Sequence, residues 1–271
     1  MTMNENPQAP DELSASERRR LRFRNIPLRV VLPNLVTLLA LCMGLTAIRF
    51  AIEGRFETAV TAVMAAAILD GLDGRLARAI KGTSRFGAEL DSLSDFVDFG
   101  VAPALLLYLW SLHEIKGLGW FAVLAFVIAG ALRLARFNVM IDDPDKPAWH
   151  ADFFVGMPAP AGAVTVLLPL YLHLSVLELP ATKTMAALSI AYVLAIAFLM
   201  ASRIPHFSGK RIGRIPRDLV IPLLFGVVVM VLLLAIYPME VLAVISVVFL
   251  ATIPLSVKRH KALSKAEAAN Q

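Results

Sequence analysis

Long apolar segments alternate with short polar or charged connections along most of the chain. Each segment is close to the ~20 residues that a helix needs to cross a ~30 Å hydrocarbon core. The pattern therefore predicts an all-α, polytopic membrane bundle of about eight transmembrane helices. The predicted segments are Leu32–Ile52, Glu57–Ile80, Gly87–Leu112, Leu118–Phe137, Val155–Leu177, Thr182–Ala201, Leu219–Tyr237 and Glu240–Val257.

Lysine and arginine are distributed unevenly between the connections of these segments. They concentrate in the N-terminal arm, in the links after the second, fourth and sixth segments, and in the C-terminal tail. Because basic loops stay on the cytoplasmic side, this alternation predicts cytoplasmic N- and C-termini in the inner cell membrane. The chain then divides into a cytoplasmic tail with a basic interfacial arm at residues 1–30, a transmembrane domain at 31–257 and a cytoplasmic tail at 258–271.

The overall composition agrees with a membrane protein. Of the 271 residues, 58% are hydrophobic and only 17% are charged, and the mean hydropathy is +0.71. Such values are typical of a polytopic membrane protein and not of a soluble domain. The net charge of +5 comes from basic loops, which favours an anionic membrane surface and excludes nucleic acid as the expected partner.

The most unusual stretch joins the second and third segments, where five aspartates lie in an otherwise apolar region. At about 100° per residue, Asp70 and Asp73 share one face of the second helix. Asp91, Asp95 and Asp98 share one face of the third helix. The polar turn at residues 81–85 lies between the two helices, so we expect the acidic faces to meet at the cytoplasmic side.

Desolvated carboxylates cost several kcal/mol each unless they are paired, so this group needs a counter-charge. A divalent cation is the natural partner. Oxygen donors favour Mg²⁺, Mn²⁺ or Ca²⁺ over zinc, for which the chain offers no suitable Cys and His set. Two ions with bridging carboxylates would suit a diphosphate substrate, with Arg78 as a phosphate clamp. Acidic helix ends packed on basic loops are the purely structural alternative.

The spacing of this stretch resembles the signature of the CDP-alcohol phosphotransferase family. The pattern specifies eight positions within 26 residues: Asp70-x2-Asp73-Gly74-x2-Ala77-Arg78-x8-Gly87-x3-Asp91-x3-Asp95. By this resemblance, Asp95 would act as the general base. Two divalent metal ions, Mg²⁺ or Mn²⁺, would be held by Asp70, Asp73, Asp91 and Asp95.

The same resemblance implies a binding site for the CDP-lipid. The signature residues that would contact the CDP part are Gly74, Ala77, Arg78 and Gly87. Pro33-Asn34-x2-Thr37 also resembles a family pattern, in which Asn34 and Thr37 would touch the nucleotide or its phosphates. An ordinary helix N-terminus with a proline and a capping asparagine explains these two residues equally well.

Three further segments resemble the phosphatidylserine synthase branch of that family: Ala131–Asn138, Phe154–Pro160 and Asp98–Pro103. In that branch Arg133, Arg136 and Asn138 would bind the acceptor, because the carboxylate of serine needs a cation. Snorkelling of the arginines to lipid phosphates is the alternative. Asp98 lies outside the family signature, and we expect it to orient a metal ligand or Arg136.

The resemblance implies a metal-dependent transfer of a phosphatidyl group from CDP-diacylglycerol to the hydroxyl of L-serine, which gives phosphatidylserine and CMP. It also implies a homodimer surrounded by membrane lipid. Glycerol 3-phosphate, inositol phosphate or choline are alternative acceptors. A cation-coupled transporter would also place carboxylates at membrane depth, although inverted repeats and helices broken at mid-bilayer are more typical of that class.

Overall fold

The computed structural model of the protein describes residues 28–141, 153–180, 182–207 and 217–270. The predicted tail and the first part of the basic arm lie outside these residues. In the described part, helices account for nearly all of the chain, which confirms the predicted all-α class. The helices are α1 Leu28–Ile52, α2 Phe56–Ala79, α3 Arg85–Asp95, a π-helix Phe96–Val101, α4 Ala102–Trp110, a 3-10 helix Leu112–Ile115, α5 Lys116–Ile141, α6 Ala159–Val166, α7 Leu168–Leu174, α8 Lys183–Ala201, α9 Arg217–Ile236 and α10 Pro238–Asn270; the strands are β1 Phe153–Val155 and β2 Pro205–Phe207.

Six helical stretches in the described residues are long and apolar enough to cross a membrane. They are Leu28–Ile52, Arg85–Trp110, Leu112–Met140, Lys183–Ala201, Leu219–Ile236 and Pro238–Leu263. The chain is therefore an integral membrane protein built as a helical bundle. The predicted count of eight spans and the cytoplasmic position of both termini are not confirmed.

Two predicted spans explain the difference in count. Helix α2 is long enough but carries five charged residues, four of them in its C-terminal half. The segment at residues 155–177 is divided into α6 and α7, because Pro169 has no N–H to donate to the carbonyl of Thr165. That carbonyl instead accepts a hydrogen bond of 2.7 Å from the hydroxyl of Tyr192 in α8.

The first two helices pack closely through small side chains. Ala40, Ala47 and Ala51 of α1 are buried, as are Ala59 and Ala66 of α2. Small residues let two helix backbones approach each other within a membrane. This contact brings the N-terminal end of α1 beside the acidic end of α2, where the predicted site lies.

The second half of the chain forms the other side of the bundle. Helix α5 packs on α8, and α10 packs on α6, α7 and β2. The strands β1 and β2 pair antiparallel, with Phe154 opposite His206, and so join the two loops that flank α6–α8. Helix α9 packs along α10, and most of its apolar side chains are exposed, as suits a helix that faces lipid.

Candidate active site

Three of the predicted metal ligands meet where α2 and α3 face each other. Asp70, Asp91 and Asp95 each offer a carboxylate oxygen, and these oxygens lie within 4.8 Å of one another. The buried Oδ1 of Asp95 has no hydrogen-bond partner among the described residues. Three carboxylates with a spare buried oxygen fit a hard divalent cation such as Mg²⁺ or Mn²⁺.

The fourth predicted ligand, Asp73, is held differently. Its side chain is only 3% exposed, and its Oδ2 accepts a hydrogen bond of 2.6 Å from the hydroxyl of Thr37 in α1. Thr37 itself is 4% exposed. The helix that precedes the signature therefore fixes the orientation of one signature aspartate.

A cleft of about 240 Å³ opens beside these carboxylates, between the start of α1, the end of α2 and the start of α3. All six residues predicted to contact the CDP-lipid line it, together with Asp73 and Asp91. The six are Asn34, Thr37, Gly74, Ala77, Arg78 and Gly87. Residues far apart in the sequence are thus gathered around one cleft, as expected for a ligand site.

The start of α3 is set by a local cap. The hydroxyl of Ser84 accepts a hydrogen bond of 3.0 Å from the backbone N–H of Gly87, which is the standard arrangement at a helix N-terminus. Gly87 also faces Asn34 closely, since a Cβ added there would lie 2.7 Å from the Asn34 Oδ1. Glycine is therefore required for Asn34 to occupy its place in the cleft.

Arg133 lies next to the acidic group, in α5. Its side chain is 8% exposed, and its guanidinium lies 5.3 Å from the centre of the Phe137 ring. Its positive charge acts on Asp95, yet it forms no ion pair with any carboxylate that the structure describes. A buried cation in this position is suited to bind an anionic group of a substrate.

Arg136 and Asn138 have protein partners. Arg136 donates two hydrogen bonds, of 2.9 Å to the carbonyl of Ala201 and of 3.0 Å to the carbonyl of Ser202. Asn138 is exposed and donates a bond of 2.9 Å to the hydroxyl of Ser92. The expected roles of both residues in acceptor binding stay predictions, and for Arg136 a structural role explains both observed bonds.

Asp98 is 1% exposed and lies in the π-helix that interrupts the regular α-helix after Asp95. Its Oδ2 accepts a hydrogen bond of 3.1 Å from the hydroxyl of Ser94. Ser94 could not be singled out from the sequence, because a serine on an amphipathic helix carries no distinctive pattern. The one available signal was its i, i+4 spacing to Asp98.

Comparison with known proteins agrees with this geometry. The profile of the CDP-alcohol phosphatidyltransferase family matches residues 30–257, which include all of the candidate site residues. A CDP-diacylglycerol–serine O-phosphatidyltransferase of Mycobacterium leprae (strain TN) is 54% identical over 137 residues, which are 51% of this chain and 45% of the relative.

Two relatives with the same name come from other bacteria. The one from Helicobacter pylori (strain ATCC 700392 / 26695) is 38% identical over 175 residues, 65% of this chain and 72% of its own length. The one from Bacillus subtilis (strain 168) is 36% identical over 138 residues, 51% of this chain and 74% of its own length. The chain spans about half the length of the mycobacterial relatives that it matches. With the profile match along most of its length, the chain belongs to the CDP-alcohol phosphatidyltransferase family.

Proposed function

We propose that the protein transfers the phosphatidyl group of CDP-diacylglycerol to the hydroxyl of L-serine. A bond forms between the serine oxygen and the phosphorus that carries the diacylglycerol. The bond from that phosphorus to the oxygen bridging the two phosphates breaks, and CMP leaves with the electron pair. The serine hydroxyl gives up its proton, so the products are phosphatidylserine and CMP.

The observation that carries this proposal is the three-carboxylate group beside the cleft. Asp70, Asp91 and Asp95 form the group, and the family's CDP-contacting positions line the cleft. A nucleotide diphosphate placed there would have its phosphates next to the carboxylates. The names of the similar bacterial proteins support serine as the acceptor.

Divalent ions, Mg²⁺ or Mn²⁺ and two in number, would supply charge stabilisation for the diphosphate when bound to Asp70, Asp73, Asp91 and Asp95. Arg78 is exposed at the edge of the cleft, where its side chain would contact the phosphates. Asp95 would accept the proton of the attacking hydroxyl. General-base help of this kind contributes about 10²–10⁴ to the rate.

Arg133 would bind the carboxylate of serine. It is the buried cation that acts on Asp95, so a carboxylate bound to it would place the neighbouring serine hydroxyl near the base. A phosphorylated acceptor would use the same cation, and glycerol 3-phosphate and inositol phosphate are therefore the competing acceptors. Choline has no anionic group for Arg133 to bind, so it tests this idea. The Lys and Arg distribution supports a site that faces the cytoplasm across the inner membrane, and the expected homodimer stays a prediction.

The test measures CMP release by the purified protein in detergent with CDP-diacylglycerol and Mg²⁺ or Mn²⁺. Parallel reactions contain L-serine, glycerol 3-phosphate, inositol phosphate or choline, and EDTA removes the metal in a control. Serine-dependent release that EDTA abolishes is the expected result. Release with a different acceptor would overturn serine as the acceptor. No release by folded protein with any acceptor would favour the cation-coupled transporter.

A further inference from the structure

A chain of buried hydrogen bonds connects Asp98 to the signature aspartate Asp73. The hydroxyl of Ser94 lies 3.1 Å from Oδ2 of Asp98 and 3.3 Å from the backbone carbonyl of Thr37, and its one hydrogen is shared between these two acceptors. The hydroxyl of Thr37 lies 2.6 Å from Oδ2 of Asp73. All four side chains are at most 4% exposed, so water cannot easily replace any of these contacts.

These hydrogen bonds connect four helical elements of the bundle. Asp98 is in the π-helix, Ser94 is in α3, Thr37 is in α1 and Asp73 is in α2. Buried polar groups are costly unless they are hydrogen-bonded, so each of these contacts favours one relative position of the helices. The last of these groups is the Asp73 carboxylate, whose orientation depends on the hydrogen bond from Thr37.

Asp98 also touches α1 directly. A Cβ added at Gly44 would overlap the Asp98 Oδ1, so glycine is what allows this contact. Gly44 is seven residues after Thr37, two helical turns along the same face of α1. Asp98 therefore holds α1 at Gly44, through direct packing, and at Thr37, through Ser94. The π-helix contributes, because an extra residue in the turn changes which side chains face α1.

We propose that Asp98 is a positioning residue for the Asp73 carboxylate, acting through Ser94 and Thr37. The inference rests on the proposed function, in which Asp73 binds metal. Asp98 lies outside the group formed by Asp70, Asp91 and Asp95, and its side chain is enclosed by protein. Its hydrogen bond and its packing on α1 are what position Asp73. An asparagine at residue 98 keeps both, since either atom of the amide can bond to Ser94.

The test measures equilibrium Mn²⁺ binding by electron paramagnetic resonance on the purified protein in detergent, without substrate. The variants are D98A, D98N, S94A and the double variant D98A/S94A. Ser189→Ala is the matched control, because Ser189 is an equally buried serine whose hydroxyl has no hydrogen-bond partner in the described residues. Thermal unfolding of each variant and the KM for CDP-diacylglycerol are measured on the same preparations.

We expect D98A and S94A each to weaken Mn²⁺ binding about tenfold, as is typical when a residue that orients a metal ligand is removed. D98N and S189A are expected to stay within about threefold of the wild type. The double variant should lose less than the product of the two single losses, because the contact between Asp98 and Ser94 is shared by both residues.

Three results would overturn the inference. These are wild-type affinity in folded S94A, losses in the double variant that multiply to about a hundredfold, and a loss in D98N equal to that in D98A. If D98A does not fold, S94A and D98N still decide the matter. Failure of the proposed function looks different, because the wild type itself would then neither bind Mn²⁺ nor release CMP.

Discussion

Replacement of Arg136 by alanine should lower stability and leave acceptor binding unchanged. The guanidinium donates to the carbonyls of Ala201 and Ser202, which end helix α8. The last carbonyls of a helix have no partner within the helix, and they form the negative end of its dipole. A cation from α5 that bonds to two of them joins the two helices.

The magnitude follows from these two bonds. A hydrogen bond to a charged group contributes about 1.5–3 kcal/mol. Arg136 is half-buried, so we take the lower value of about 1.5 kcal/mol for each of its two bonds. We therefore expect R136A to lower the free energy of unfolding by about 3 kcal/mol. For a chain of this size that corresponds to a fall in Tm of roughly 6–12 °C. R136K retains one of the two bonds and should lose about half as much.

The assay combines thermal unfolding in detergent with steady-state kinetics at varied L-serine. R136A should unfold at a lower temperature, and its folded fraction should keep a KM for serine within about twofold of the wild type. Arg203→Ala is the matched control, because Arg203 is an exposed arginine adjacent to Ser202. It should change neither quantity.

Arg133→Ala should give the opposite result. Loss of a charged hydrogen bond to the substrate carboxylate is worth about 1.5–3 kcal/mol, so the KM for serine should rise tenfold or more.

For Arg136, a tenfold rise in the KM for serine of R136A, with an unchanged Tm, would refute the structural assignment. Such a result would indicate that Arg136 binds the acceptor.

Three further changes test the cleft and the base. Asp95→Asn should lower kcat by at least about 10²–10⁴ with Tm unchanged within a few degrees, as measured by CMP release and thermal unfolding. Gly87→Ala should raise the KM for CDP-diacylglycerol about tenfold, because the added Cβ would lie 2.7 Å from the Asn34 Oδ1. The double variant N34A/G87A should relieve this clash. Gly71→Ala is the control, because the Cβ added there has no neighbour within 4 Å. Ser84→Ala should destabilise the protein by about 1 kcal/mol through loss of the α3 cap, seen as a Tm lower by roughly 2–4 °C.

Each of these changes has an outcome that contradicts it. More than a tenth of wild-type turnover in D95N would exclude Asp95 as the general base. Equal effects of G71A and G87A would show that the lost flexibility of a glycine matters more than the clash with Asn34. An unchanged Tm in S84A would mean that tertiary contacts alone hold the start of α3.

The sequence was most informative where charge interrupts an apolar pattern. The fixed spacing from Asp70 to Asp95 was sufficient to predict the family and signature residues such as Arg78. The Pro33-Asn34-x2-Thr37 pattern added Asn34 and Thr37, and the structure gathers all of these residues around one cleft. Carboxylates are costly in an apolar environment, so a chain that keeps them there at regular helical positions reveals a site. The profile match then confirmed the family.

Hydropathy was less reliable for the number of membrane spans. It gave equal weight to all apolar segments, but α2 is interrupted by the charges of the site itself. The segment around Pro169 divides into two short helices, and the carbonyl of Thr165 accepts a hydrogen bond from Tyr192 of another helix. Hydropathy averaged over a window does not show where a charge lies within the segment or which group bonds to a carbonyl.

What the sequence determined by itself was local: helix periodicity, the acidic pattern and the spacing that identifies the family. What only the tertiary structure decided was which of two similar residues faces the site. Arg133 and Arg136 are three residues apart on one helix, yet the first acts on Asp95 and the second bonds to the end of α8. Asp98 and Asp95 are likewise three residues apart, and the π-helix directs Asp98 to Gly44. Such choices depend on contacts between distant helices, and these contacts follow from how the whole bundle packs.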